Sequence, residues 1–157
     1  MIMQKVSAYI PCYNNIDTIA EAVNSIKRQT IAVGELFVID DGSTDGSAEA
    51  VESMGVRVIR NERNLGRGAV RNQAMAKAKN ELVLCCDATN VLPADFVGRL
   101  LPWFDDPKVA AVYGWIQDPH PKGVVSRWRA RYLFKAGQPM QVRHKAFLST
   151  YGTLMRR

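Results

Sequence analysis

Apolar positions in the first 115 residues switch repeatedly between two periods. Val6, Ala8 and Ile10 alternate within Lys5–Pro11, which predicts a strand. Ile16, Ile19, Ala20, Val23 and Ile26 then recur at helical spacing, so an amphipathic helix should end near Gln29. A short apolar run, Leu36–Ile39, stops at Asp40-Asp41-Gly42-Ser43-Thr44, the composition of a turn and helix cap. A helix through Ala48, Val51 and Met54 closes at Gly55, and Val56, Val58 and Ile59 make a third strand. The Asn64-Leu65-Gly66 turn leads into an Ala-rich helix over Arg67–Lys79. Leu82–Cys86 is continuously apolar, as in a strand covered on both faces. Pro93 suits a helix start, with Phe96, Val97, Leu100, Leu101 and Phe104 as its buried stripe, and Val109–Trp115 reads as a fifth strand.

Strands alternating with helices in this way predict an α/β fold, a mostly parallel sheet wrapped by helices. Ligands of such sheets bind beyond the carboxyl ends of the strands. Three of those ends are polar: Pro11-Cys12-Tyr13-Asn14, Asp40-Asp41-Gly42-Ser43 and Asp87-Ala88-Thr89-Asn90. After residue 115 the alternation stops at Asp118-Pro119-His120-Pro121. Gly123–Lys135 reads as a helix, with Val125, Trp128 and Tyr132 on one side and Arg127, Arg131 and Lys135 on another. Ser149–Arg157 has no evident segment to pair with. The expected division is a core over 1–118 and a basic segment over 119–157.

Composition narrows the function. Of 157 residues, 47% are hydrophobic and 23% charged, which excludes global disorder. No apolar run approaches the ~18 to 20 residues of a membrane span, and the first segment is too short and polar for a signal peptide. Three cysteines, two adjacent at Cys85 and Cys86, make neither a disulfide framework nor a CxxC pair, so buried thiols in a reducing cytoplasm are expected. With two histidines, a His-rich metal site is excluded. The net charge of +6 hides an asymmetry: residues 119–157 carry nine basic side chains and no Asp or Glu. Carboxylate chemistry must come from the earlier part.

Asp40 and Asp41 fit either a capped helix start or a base-binding pair, because a carboxylate can accept the imide N–H of uracil. Asp87, followed by Thr89, is either a helix cap or a hard ligand for a cation that a diphosphate also holds. Asn64-Leu65-Gly66-Arg67-Gly68 opens a helix as an anion-binding loop would, with Arg67 and Arg71 adding positive charge, although it is neither a Walker motif nor GxGxxG. Tyr13 suits stacking on a base or packing on the first helix. Arg156 and Arg157 read as a fraying basic tail. The basic segment lacks aromatic interleaving and any zinc or helix-turn-helix signature, so no nucleic acid is expected.

In order and spacing, Val6-Ser7-Ala8-Tyr9-Ile10-Pro11-Cys12-Tyr13-Asn14, Ser25–Thr30, Glu35–Asp45, Asn64-Leu65-Gly66, Ala69–Asn72 and Val91–Phe96 resemble the opening of glycosyltransferase family 2, the inverting enzymes of GT-A fold. The resemblance covers roughly residues 4–115. It implies a Rossmann-like sheet that binds a nucleotide-diphosphate sugar, most simply a UDP-sugar, and passes the sugar to a glycan, lipid or protein acceptor with inversion. Pro11, Tyr13 and Asp41, with Asp40 beside them, would hold the nucleobase. Gly66, Arg67, Arg71 and Asp87 complete the expected nucleotide site.

Asp87 matches the first Asp of the family's DXD element, whose third position is Thr89 here. A hydroxyl is a poorer ligand for Mg2+ or Mn2+ than a carboxylate, so weakened metal affinity at Asp87 and Thr89 is expected. The family's general base lies in an acidic motif beyond a segment like Phe147–Arg157. The expectation is therefore a truncated chain whose C-terminal acceptor part is missing and in which no base is assigned. Two readings stay open: a transferase domain, inactive alone or not, and a non-catalytic nucleotide-sugar-binding module. A cytoplasmic location, peripheral at the inner membrane surface, and a homo-oligomer are compatible with both.

Overall fold

The computed structural model describes residues 6–114, 122–133 and 152–157. The strands are β1 (Val6–Cys12), β2 (Glu35–Asp40), β3 (Arg57–Arg60), β4 (Leu82–Cys85), β5 (Ala111–Tyr113) and β6 (Thr153–Arg156). Between them run α1 (Ile19–Lys27), α2 (Ser47–Ser53), α3 (Arg67–Lys77), and α4 (Phe96–Leu100), which tightens into a 3-10 turn over Leu101–Asp105. After β5, α5 (Gly123–Trp128) continues as a wider π-type turn over Arg129–Leu133. The six strands lie in the order β3-β2-β1-β4-β6-β5.

Strands β1 to β4 pair in parallel, so their carboxyl ends share one edge of the sheet. Alternate side chains divide the core between the two faces. Ala8, Ile10 and Cys12 join Ile19, Val23 and Ile26 of α1 with Val97 and Phe104 on one face. Tyr9, Phe37, Ile39, Val83 and Cys85 meet Val70 and Ala74 of α3 on the other. Leu82, Val83, Leu84 and Cys85 are all buried, as the continuous apolar run required.

The last strand corrects the expectation for the end of the chain. Ser149–Arg157 was expected to lack a partner, yet Thr153–Arg156 lies between β4 and β5 and pairs antiparallel with both. The sheet is thus mostly parallel, and β5 joins it only through β6. Leu154 is fully buried among the side chains of the α1 face, while Met155 packs on the α3 face. Arg156 is no fraying tail. Its Nη2 donates to the Phe104 carbonyl at 2.7 Å and its Nε to that of Val109 at 3.1 Å. The same guanidinium bridges to Glu81 and lies 5.4 Å from the Phe104 ring centroid. Arg157 donates to the Ala78 carbonyl. Four residues give too short a run for periodicity to reveal, and their partners lie about 40 residues upstream in β5 and about 70 in β4.

The compact core comprises the chain through Tyr113 together with Ser149–Arg157, and Gly114–Leu148 forms a second unit. Trp115 and Lys135, expected to end a strand and a helix, fall outside the described residues. Among the described residues no helix is long and apolar enough to cross a membrane.

Replacing Leu154 by Ala should cost about 2 to 5 kcal/mol of unfolding free energy in denaturant titration, the range for a fully buried leucine. The amides of Leu154 and Arg156 should exchange as slowly as those of β4. Fast exchange there, with an unaltered midpoint in Leu154→Ala, would remove β6 from the core.

Candidate functional site

A cavity of about 400 Å³ opens at the carboxyl edge of the parallel strands. Pro11, Cys12 and Tyr13 enter it from the end of β1, Asp41 from the end of β2, and Asp87, Ala88 and Thr89 from the segment after β4. Its remaining wall is Asn64, Gly66, Arg67 and Val70, at the loop and first turn of α3, with Asn15 beside Tyr13. Six of the eight residues predicted to bind nucleotide therefore meet here: Pro11, Tyr13, Asp41, Gly66, Arg67 and Asp87. Thr89, the second predicted metal ligand, meets them.

Asp40 and Arg71 are the two that do not line the cavity. Asp40 is buried, and its Oδ2 accepts the Ser43 N–H at 3.1 Å, closing the turn after β2. Its Oδ1 is buried without a hydrogen-bond partner. Asp40 therefore closes a turn and does not cap the helix, because α2 begins at Ser47 after Gly46. Burial pushes the Cys12 thiol up to about 11, with the Asp40 charge adding to that effect.

Asp41 organises the opposite wall. Its Oδ1 accepts from Asn61 Nδ2 at 2.8 Å and from the Leu65 N–H at 3.0 Å, and its Oδ2 accepts the Gly66 N–H at 2.9 Å. The end of β2 thereby fixes the loop that starts α3. Gly42 follows with φ +79°, and a Cβ there would lie 2.9 Å from the Arg63 carbonyl carbon, so only glycine lets the two backbones approach. Gly66 has φ +88° and leads directly into Arg67, where the backbone N–H groups of α3 begin.

The loops after β1 and β2 are laced together as well. Asn14, itself at φ 52°, donates its N–H to Ser43 Oγ and accepts the Thr44 N–H on its side chain, both at 2.9 Å. Asn15 N–H donates to Ser47 Oγ and Ile16 N–H to Asp45 Oδ2, again at 2.9 Å. The rim beneath Tyr13 is thus held by short polar side chains. Tyr13 itself stays 48% exposed at the cavity, which leaves surface available for stacking.

At the far side Arg71 Nη2 donates to Asp87 Oδ1 at 3.1 Å. Burial raises the Asp87 carboxyl above the usual carboxylate range, and the charges of Arg71 and Arg67 oppose that shift. Two guanidinium groups therefore sit within electrostatic reach of one carboxylate, on the wall where Arg67 lines the cavity. Among the described residues no three His, Cys, Asp or Glu side chains converge as a metal cage. Asp87 and the Thr89 hydroxyl fit a divalent cation only in the manner of Mg2+, which takes one or two carboxylates and completes its shell with phosphate oxygens and water.

Sequence reasoning passed over Asn15, Asn61 and Gln73. Asn61 bridges Asp41 to Gln73, whose Nε2 donates to Asn61 Oδ1 at 3.0 Å. Short amides in loops carry no periodic signal. Only the Asn64-Leu65-Gly66-Arg67-Gly68 loop marked this segment in the sequence.

The model of glycosyl transferase family 2 matches residues 7–157, and the chain belongs to that family. It is 27% identical over 117 residues to the poly-beta-1,6-N-acetyl-D-glucosamine synthases of Staphylococcus aureus (strain MSSA476) and Staphylococcus epidermidis. These alignments cover 71% of the chain and 28% of each relative, so the chain spans under a third of their length. Among solved structures it is similar to the mannosyltransferase PcManGT of Pyrobaculum calidifontis in complex with GDP-Man and Mn2+. That match has a TM-score of 0.68 at 27% identity and covers 73% of this chain and 36% of the other. S. aureus TarS 1-349 in complex with UDP-GlcNAc gives a TM-score of 0.67 at 27% identity, over 76% and 36% of the two chains. A glucosyl-3-phosphoglycerate synthase from Mycobacterium tuberculosis, 24% identical, shares the fold over 98% of this chain and 57% of its own, with a TM-score of 0.68. The fold is GT-A.

Asp41→Ala should strip three donors of their acceptor and lower unfolding free energy by about 1.5 to 3 kcal/mol, the range for hydrogen bonds to a charged group. Exchange at the Leu65 and Gly66 amides should accelerate while β4 stays protected. Unchanged exchange at both amides would show that the loop is held by other contacts.

Proposed function

We propose that the chain forms the donor-binding domain of an inverting glycosyltransferase and holds a nucleotide-diphosphate sugar, with UDP as its nucleotide, in the cavity at the carboxyl edge of the sheet. The observation that carries this reading is the meeting of Tyr13, Asp41, Gly66, Arg67 and Asp87 in one cavity. The relatives support the donor class: TarS was solved with UDP-GlcNAc, and PcManGT with GDP-Man.

Each wall has a part. Tyr13 stacks on the base. A carboxylate has about four lone-pair sites, and Asp41 uses three on the loop before α3, so one on Oδ2 remains for the uracil imide N–H. The diphosphate lies against the start of α3, where Gly66 allows close approach and no acidic residue occupies the first turn. Arg67 balances the charge that grows on the departing diphosphate as the acceptor oxygen attacks the opposite face of the anomeric carbon. Asp87 and Thr89 would hold a divalent cation against the same phosphates, where it would supply further charge neutralisation. Asp41 and Asp87 are both committed to donor binding, and neither is assigned as the base. The buried free thiols Cys12, Cys85 and Cys86 support a cytoplasmic location. The cation-rich second unit supports a place at the inner membrane surface.

Calorimetry should show UDP binding, and Arg67→Ala should weaken it about ten- to a hundredfold, as expected when a charge-assisted contact is lost. Thr89→Asp should tighten Mn2+ binding in the presence of UDP. No UDP binding by the wild-type chain, or equal affinity in Arg67→Ala, would overturn the assignment.

A further inference from the structure

We propose that the helical stretch Gly123–Leu133 is a docking surface for an anionic lipid bilayer. This deepens the peripheral placement above and stands apart from the donor cavity. Val124 and Val125 are 75% and 72% exposed, and Trp128 and Tyr132 are 53% and 58% exposed. At about 100° per residue Val124, Val125 and Trp128 fall within one arc of under a third of the α-helix circumference, and Tyr132, in the wider π-type turn, stands beside Trp128. Arg127 and Arg131 flank that arc, both exposed, and exposed Lys122 precedes the helix. Ala130, on the side away from the arc, is buried. The apolar arc is thus exposed together with its basic border, Arg127, Arg129 and Arg131, whereas a helix that packs by its apolar stripe would bury that arc.

Two details favour lipid over other occupants. Trp128 and Tyr132 stand 5.6 Å apart, and the Arg131 guanidinium lies 5.6 Å from the Tyr132 ring, so the aromatic rings carry cations at their border. Aromatic rings of this kind settle at the headgroup level while arginines reach lipid phosphates. Residues 119–157 contain no Asp or Glu, so nothing along this stretch of chain repels an anionic surface. Each basic side chain near such a surface contributes about fivefold to binding.

The test is sedimentation of the full chain with phosphatidylcholine vesicles and with vesicles also containing phosphatidylglycerol, at low and physiological salt. The anionic vesicles should capture the chain, and salt should weaken capture. Arg127→Gln/Arg131→Gln should reduce capture about 25-fold. Trp128→Ser/Tyr132→Ser should reduce it at least tenfold. Both variants should keep the wild-type melting curve and UDP affinity, since none of these residues lines the donor cavity. Loss of UDP binding by the wild-type chain would count against the donor reading alone. Equal capture by neutral vesicles, no capture at all, capture unchanged in either variant, salt-sensitive binding to RNA without vesicle capture, or a concentration-dependent dimer that shields Trp128 would each overturn the proposal.

Discussion

The carboxylate of Asp41 is the hinge on which the cavity depends. It sits at the end of β2, and its three hydrogen bonds reach Asn61, Leu65 and Gly66, which belong to a different crossover. The Asn61 N–H also donates to the Asp40 carbonyl at 2.8 Å, and the Asp41 carboxylate extends that tie to the turn that leads into Arg67. The backbone adds to it: the Asp41 N–H donates to the Cys12 carbonyl at 2.8 Å, so the ends of β1 and β2 advance together. One acidic side chain thus sets the width of a pocket whose walls come from three strands.

The parallel part of the architecture was legible because each element announces itself. The alternation in β1, the helical recurrence of Ile19, Val23 and Ile26, and the unbroken apolar run of β4 are local signals, and each is set by burial of one face or both. The strand ends were legible for the same reason, since a polar cluster after an apolar run marks where the chain leaves the sheet. Asp40 and Asp41 show the limit. As neighbours they look like a pair, but successive side chains at a strand end point to opposite sides, and only Asp41 reaches the cavity. Sequence left a helix cap and a binding pair open for the two, and could not show that one closes a turn while the other lines the cavity.

What was not legible is long-range. Thr153–Arg156 carries no run long enough to resemble a strand, and its place is decided by β4 and β5, between which it supplies the missing ladder. Arg156 makes the same point for side chains. Its positive charge at the end of the chain suggests solvent, whereas the carbonyls of Phe104 and Val109 draw it inward. Arg71, singled out in the sequence for its charge near the phosphates, also has a partner that the sequence did not show, the Asp87 carboxylate. Membership of glycosyl transferase family 2 followed from ordered local motifs, and so needed none of these distant contacts.

The position of β6 also orders events in time. During synthesis β1 to β4 leave the ribosome with their parallel partners already made, but β4 then shows a bare edge and β5 has nothing to pair with. That edge stays open until residues 153–156 arrive, and unpaired edges invite pairing between chains. The nascent protein therefore passes through a stretch of elongation in which the β4 edge of its sheet is adhesive, and the four-residue strand β6 is the seal.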